Sequence, residues 1–188
     1  MSLGTLRVAV LGAGNMGAAL IAGLVRSGRL SPEHLTAADP RESAREPLAR
    51  LGVRTVGAAA AAVPGQDLVV LAVKPQVAEP LLREIGGLIE PGQLLVSIMA
   101  GVSTASIEAW VGRPVPVVRA MPQTLVRLGA GATALCVGQR ADGESLSLAQ
   151  AFFEAVGVTA IVPESLMDAV TGLSGSGPAY LYTVIEAL

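Results

Sequence analysis

Three glycines spaced G-x-G-x-x-G, Gly12, Gly14 and Gly17, stand between an apolar run (Arg7 to Leu11) and an alanine-rich segment from Ala18 to Val25. That spacing suits the binding of a diphosphate. Gly12 permits a sharp turn from strand into helix, Gly14 lets backbone approach the pyrophosphate, and Gly17 lets the helix lie close on a sheet. The free N–H groups and the positive dipole end of the helix then face the anion. Further on, Asp39 falls where an acid commonly takes the two ribose hydroxyls of a dinucleotide and repels a 2′-phosphate. Arg41 and Arg45 pull the other way, because a guanidinium can grip that phosphate.

Three more segments are expected to converge on the same place. Ala72-Val73-Lys74-Pro75 follows the most apolar strand candidate, and Lys74 is suited to a ribose or phosphate. Met99-Ala100-Gly101 offers small residues against which a nicotinamide can lie. Arg119-Ala120-Met121-Pro122-Gln123-Thr124 follows another strand candidate. No catalytic acid–base pair is assigned. The one histidine, His34, sits in a Ser31-Pro32-Glu33 loop and reads as a surface residue, and no Cys/His cluster for a metal exists. Such a chain either does not catalyse or needs little proton transfer from a histidine. Reduction of an imine fits the second case, since a protonated C=N is already a strong hydride acceptor.

These residues need strands and helices in alternation to bring them together. The chain of 188 residues is 52% hydrophobic, 15% charged and only 3% aromatic, which suits a parallel sheet of Val, Leu and Ala covered by helices on both faces. Strands are predicted over 6–11, 35–38, 53–56, 67–73, 94–98, 115–119, 131–137 and 158–162. Helices are predicted over 15–27, 42–51, 58–63, 75–89, 103–111, 142–156 and 165–172. The expected fold is α/β, a doubly wound, mostly parallel Rossmann-type sheet over 1–163, followed by the start of an all-helical domain at 164–188.

Thr171 to Pro178 reads as a Gly/Ser loop, with Pro178 opening a last, mostly apolar helix that must bury its surface against something outside this sequence. With a net charge of −2, no nucleic-acid partner is expected. No run is long enough to span a bilayer, Met1 to Thr5 is not a signal peptide, and Met1-Ser2-Leu3 reads as an appended leader. The single cysteine, Cys136, in an apolar run, reads as buried filler and fits a reducing cytoplasm.

The chain resembles the pyrroline-5-carboxylate reductase family along nearly its whole length. The resemblance rests on Gly12 to Gly17, Ala72 to Gln76, Ser97 to Val102, Arg119 to Pro122 and the long Asp168 to Tyr180 signature. It implies NAD(P)H-dependent reduction of 1-pyrroline-5-carboxylate to L-proline. It implies coenzyme contacts from Leu11, Gly12, Ala13, Gly14, Asn15, Met16 and Gly17, from Asp39 and Arg41, from Ala72, Lys74 and Pro75, and from Met99, Ala100 and Gly101. Substrate contacts are implied for Glu164, Ser174, Gly175, Ser176 and Met121. For Glu164, a carboxylate that merely stabilises a helix N-terminus is an equal reading.

The departures from the family are also informative. Gln123 and Leu125 stand where relatives often carry Asn and Pro. NADPH-using relatives can place Ser at Asp39 and Asn at Ala59, which tilts the reading towards NADH without fixing it. The family continues into a helical domain that forms the dimer and grips the substrate carboxylate. A homodimer or higher oligomer is therefore expected of the longer form, and little turnover of these 188 residues alone. Two alternatives remain: a related Rossmann reductase for another small substrate, and a nucleotide-binding protein without catalysis.

Overall fold

The computed structural model describes residues 3–188, so Met1 and Ser2 of the expected leader lie outside the described residues. Apolar runs of about four residues, rich in Val and Leu, form strands wherever both faces can be covered. These are β1 (Val8–Leu11), β2 (Leu35–Ala38), β4 (Leu68–Leu71) and β5 (Leu94–Ser97), all buried along their whole length. The longer β6 (Val117–Pro122) and β7 (Gly131–Val137) and the edge strands β3 (Arg54–Val56) and β8 (Gly157–Ile161) complete one sheet of eight, ordered β3-β2-β1-β4-β5-β6-β7-β8. Strands β1 to β6 run parallel, β7 turns back antiparallel to β6, and β8 is parallel to β7. The order reverses between β1 and β4, and in such sheets the crevice at that reversal is where ligands bind.

Helices cover both faces. On one, α1 (Asn15–Ser27) and α5 (Gly143–Glu154) bury Leu20, Ile21, Leu24, Phe152 and Phe153 against Val8, Val10 and Val118. On the other, α3 (Ala78–Ile85) and α4 (Thr104–Val111) bury Leu82, Ile85, Ile107 and Val111 against Val69, Leu71 and Val117. Each such side chain contributes on the order of 1.5–3 kcal/mol of burial, so the apolar composition is spent on this two-sided core. Ahead of β3, α2 (Glu42–Ala49) carries the charged residues that follow Asp39. Ser103 accepts a hydrogen bond from the Ser106 N–H and so caps α4, and Asp142 does the same for α5 through Ser145.

Three predicted elements differ in kind. The alanine segment 58–63 forms a single 3-10 turn, Ala59–Ala61, closed by the Ala61 N–H to the Ala58 carbonyl and the Ala62 N–H to the Ala59 carbonyl, and does not extend into an α-helix. The helix predicted from Pro75 is α3 flanked by 3-10 turns at Pro75–Val77 and Gly86–Leu88. The larger correction concerns the predicted Gly/Ser loop at Thr171 to Pro178. The chain there is helical: a 3-10 turn at Glu164–Leu166, α6 (Met167–Val170), a wide π turn at Thr171–Gly175, then α7 (Gly177–Ala187).

Side chains do what the backbone alone does poorly in that segment. Thr171 Oγ1 donates to the Met167 carbonyl at 2.8 Å, and the Ser176 N–H and Oγ both donate to the Thr171 carbonyl. Tyr180 Oη donates to the Gly172 carbonyl at 2.8 Å. Gln123 Nε2 donates to the Ser174 carbonyl at 3.2 Å, where Pro178 has no N–H to supply the usual helical donor. Composition marks these residues as loop formers, yet their hydroxyls close a helix.

Candidate nucleotide-binding cleft

The glycine loop is gripped from both sides. The Gly12 N–H donates to the Ala38 carbonyl at the end of β2, and the Ala72 N–H at the end of β4 donates to the Leu11 carbonyl, both at 2.8 Å. Gly12 has φ of +106°, and a Cβ there would lie 2.5 Å from the Ala72 carbonyl oxygen. A Cβ on Gly17 would lie 2.0 Å from the Gly12 carbonyl, so helix and loop touch backbone to backbone. Gly14 is different. It has ordinary extended angles, and nothing stands within 4 Å of where its Cβ would be. Its position at the N-cap of α1 makes no side-chain capping bond, so open space lies against the amides of the helix start. A diphosphate fits such a cradle.

The cradle opens onto a cleft of ≈ 490 Å³ at the reversal of strand order. Gly14, Asn15 and Met16 form one wall, Ala72, Lys74 and Pro75 the floor at the exit of β4, Met99 and Ala100 the side beyond β5, and Arg41 the end near β2. Of the predicted coenzyme residues, these nine line the space. Leu11, Gly12, Ala13 and Gly17 are buried beneath the loop and shape it rather than face the cleft. Gly101 completes the turn after β5 with φ of +71° and lies off the lining. Val73 and Ile98 also line the cleft; as apolar residues at strand exits they carry no chemical mark in sequence.

Asp39 is not part of that lining. Only 6% exposed, its carboxylate accepts from the Ala13 N–H (3.0 Å), the Arg41 N–H (3.0 Å), Arg41 Nε (3.0 Å) and Arg41 Nη2 (3.1 Å). Burial pushes its carboxyl up, but the Arg41 and Ala13 bonds outweigh it and hold the group below its usual range. Arg41, whose side chain is 65% exposed, does line the cleft.

The residues implied for substrate gather on the far side of β6. Glu164 accepts from the Thr104 N–H (2.8 Å) and Thr104 Oγ1 (2.7 Å) at the first turn of α4, with Arg119 Nη1 at 3.4 Å. Arg119, 4% exposed, also reaches Asp168 Oδ1 at 3.3 Å, while its Nε is buried without a partner. In this structure Glu164 therefore tethers the start of the helical segment to the sheet domain. Thr104 and Asp168 were not singled out from sequence; an arginine inside an apolar strand run is the signal that points to such partners. Met121 is 6% exposed, packed with Ala134 and Met167, and its Sδ would sit 3.6 Å from a Cβ on Gly175. It supports the π turn from below. Ser174, Gly175 and Ser176 are half-buried in that turn. Cys136 lies beside Arg119, its thiol pushed up to about 11 by burial and by the charge of Glu164, with Arg119 offsetting part. His34 is half-buried, its Nδ1 2.9 Å from the Gly4 carbonyl.

Fold and cleft together define a dinucleotide-binding domain of the Rossmann class, followed by a helical segment tethered to it. Residues 7–101 match the family model described as NADP oxidoreductase, coenzyme F420-dependent, and residues 164–188 match that for pyrroline-5-carboxylate reductase dimerisation. The pyrroline-5-carboxylate reductase of Methanosarcina acetivorans is 40% identical over 183 residues, covering 97% of this chain and 68% of that protein. Among solved structures, the pyrroline-5-carboxylate reductase of Coxiella burnetii superposes with a TM-score of 0.89 at 32% identity, over 98% of this chain and 69% of that one. The Plasmodium falciparum pyrroline carboxylate reductase with NADP bound superposes with a TM-score of 0.89 at 26% identity, over 99% of this chain and 68% of that one. The chain belongs to the pyrroline-5-carboxylate reductase family and spans about two thirds of the length of these relatives. Among the described residues, no helix is long and apolar enough to cross a membrane.

Proposed function

We propose that this chain is the coenzyme-binding part of an NAD(P)H-dependent reductase that converts 1-pyrroline-5-carboxylate to L-proline. The observation that carries the reading is the side-chain-free cradle at Gly14, opening onto the ≈ 490 Å³ cleft at the strand-order reversal, in a chain of this family. When bound, the dihydronicotinamide supplies the hydride that a C=N carbon accepts. The chain's own residues do the rest. The amides of Gly14 to Met16 hold diphosphate, Lys74 sits at the ribose and phosphate side, and Met99 and Ala100 offer a flat, partly apolar wall for the ring. Ser174 to Ser176 lie in a π turn braced by Met121 and Gln123, and we assign the substrate side to this turn. Glu164 serves there by holding the segment in place through Thr104 and Arg119.

We read 164–188 as the start of a domain through which two copies associate, in line with its family model and its exposed apolar side chains. The buried, unpaired Cys136 supports a reducing, cytoplasmic setting.

The test uses Gly14→Ala, because a methyl there meets no protein atom within 4 Å. Its unfolding midpoint should match the parent, while NADPH affinity, followed by nucleotide fluorescence, should fall by about tenfold or more, since the methyl occupies the path of the diphosphate. Unchanged affinity in a folded Gly14→Ala protein would remove the cleft as the coenzyme site.

A further inference from the structure

The acid at the tip of β2 and the arginine two positions on are a single unit in this structure, and their division of labour differs from the one expected of an acid at that position. Each oxygen of the Asp39 carboxylate already takes two donors: Oδ1 from the Arg41 N–H and Nε, Oδ2 from the Ala13 N–H and Arg41 Nη2. It is buried and does not reach the cleft, whereas Arg41 does. A carboxylate so occupied has little capacity left for two ribose hydroxyls, and its charge is countered by the guanidinium, which lines the cleft where the acid does not. The guanidinium is held through Nε and Nη2 on a side chain that is exposed and lines the cleft, so little side-chain freedom is lost when an anion meets it.

We propose that Arg41 is the residue that discriminates between the two coenzymes by receiving the 2′-phosphate, and that Asp39 is its positioning residue rather than a receptor for ribose. The acid thus favours the phosphorylated coenzyme through Arg41 and at the same time fixes the glycine loop through the Ala13 N–H. The proposal rests on the nucleotide reading of the cleft and adds to it which coenzyme the cleft selects and why.

Isothermal titration of NADP⁺ and NAD⁺ into this chain, its Arg41→Ala variant and its Asp39→Asn variant tests it. The parent should bind NADP⁺ more tightly than NAD⁺. Arg41→Ala changes an exposed side chain and should weaken NADP⁺ by about tenfold or more, the loss of a bidentate charge-assisted contact, with NAD⁺ changed by no more than about twofold. Asp39→Asn gives a test of sign. If Asp39 positions Arg41, the variant weakens NADP⁺ more than NAD⁺, and raising salt narrows the gap between the coenzymes in the parent more than in either variant. If Asp39 instead takes ribose and repels phosphate, Asp39→Asn binds NADP⁺ more tightly and NAD⁺ less tightly, which overturns the proposal. Equal losses of both coenzymes in Arg41→Ala, or a parent that prefers NAD⁺, also overturn it. Failure of the folded parent to bind either nucleotide would instead remove the coenzyme reading itself, so the two failures are distinguishable.

Discussion

At the scale of single residues, the Asp39 carboxylate carries a consequence for stability as well as for binding. Burial alone would raise its pKa, but the bonds from Arg41 and Ala13 hold it below the ordinary 3.8. A carboxylate depressed in the folded state contributes stability above its unfolded pKa and loses it as pH falls through the folded value. The protein should therefore lose stability in part through this group as pH falls below about 4, and Asp39→Asn should flatten that acid limb while lowering stability at pH 7. Urea midpoints measured across the range check it; parallel curves for parent and variant would show that Asp39 is not so linked. Little of this was legible in sequence. The acid and the arginines were visible, but which atoms they give to each other depends on the turn after β2 folding back over Ala13.

Elements carry the site through their ends. The cradle lies at the start of α1, where Gly14 leaves open space and no side chain caps the helix, whereas α4 and α5 are capped by Ser103 and Asp142. Ser103→Ala should cost about 1 kcal/mol in chemical denaturation, as the loss of an N-cap does, and leave coenzyme affinity unchanged. A loss of affinity would mean that α4 and the loop after β5 do not behave as separate parts. Strands and most helices were readable from their apolar runs and caps. The Gly/Ser segment was not, because local composition favours a loop there. What makes it helical is its own hydroxyls on Thr171 and Ser176 turned back onto the backbone, joined by Gln123 from beyond β6 and Tyr180 further along α7.

For the molecule as a whole, the sheet is covered on both faces over β1, β4, β5 and β6 while α7 is not covered. Tyr180, Leu181, Tyr182, Val184 and Ile185 are all exposed, in the segment that matches the dimerisation family model. An apolar face of this kind drives association. This chain is expected to self-associate through α7, and replacing Leu181 and Ile185 together by Asp should give monomers by size-exclusion chromatography with light scattering, with the thermal midpoint of the sheet domain retained. A parent that is already monomeric would count against it. The tether of Glu164 to Thr104 and Arg119 fixes where the helical segment leaves the sheet, and so which way α7 points.

Sequence by itself determined the alternation of strand and helix, the glycine turn into α1 and the segments that line the cleft beside it, because glycine spacing, apolar runs and strand exits act over a few neighbouring residues. Only the tertiary structure decided that Asp39 is committed to Arg41 and Ala13, that Glu164 answers to Thr104 and Arg119, and that the Gly/Ser segment is a helix. Those outcomes rest on hydrogen bonds and ion pairs between groups brought together by the fold, some of them far apart along the chain, and a buried polar group takes whichever partners the packing places within reach.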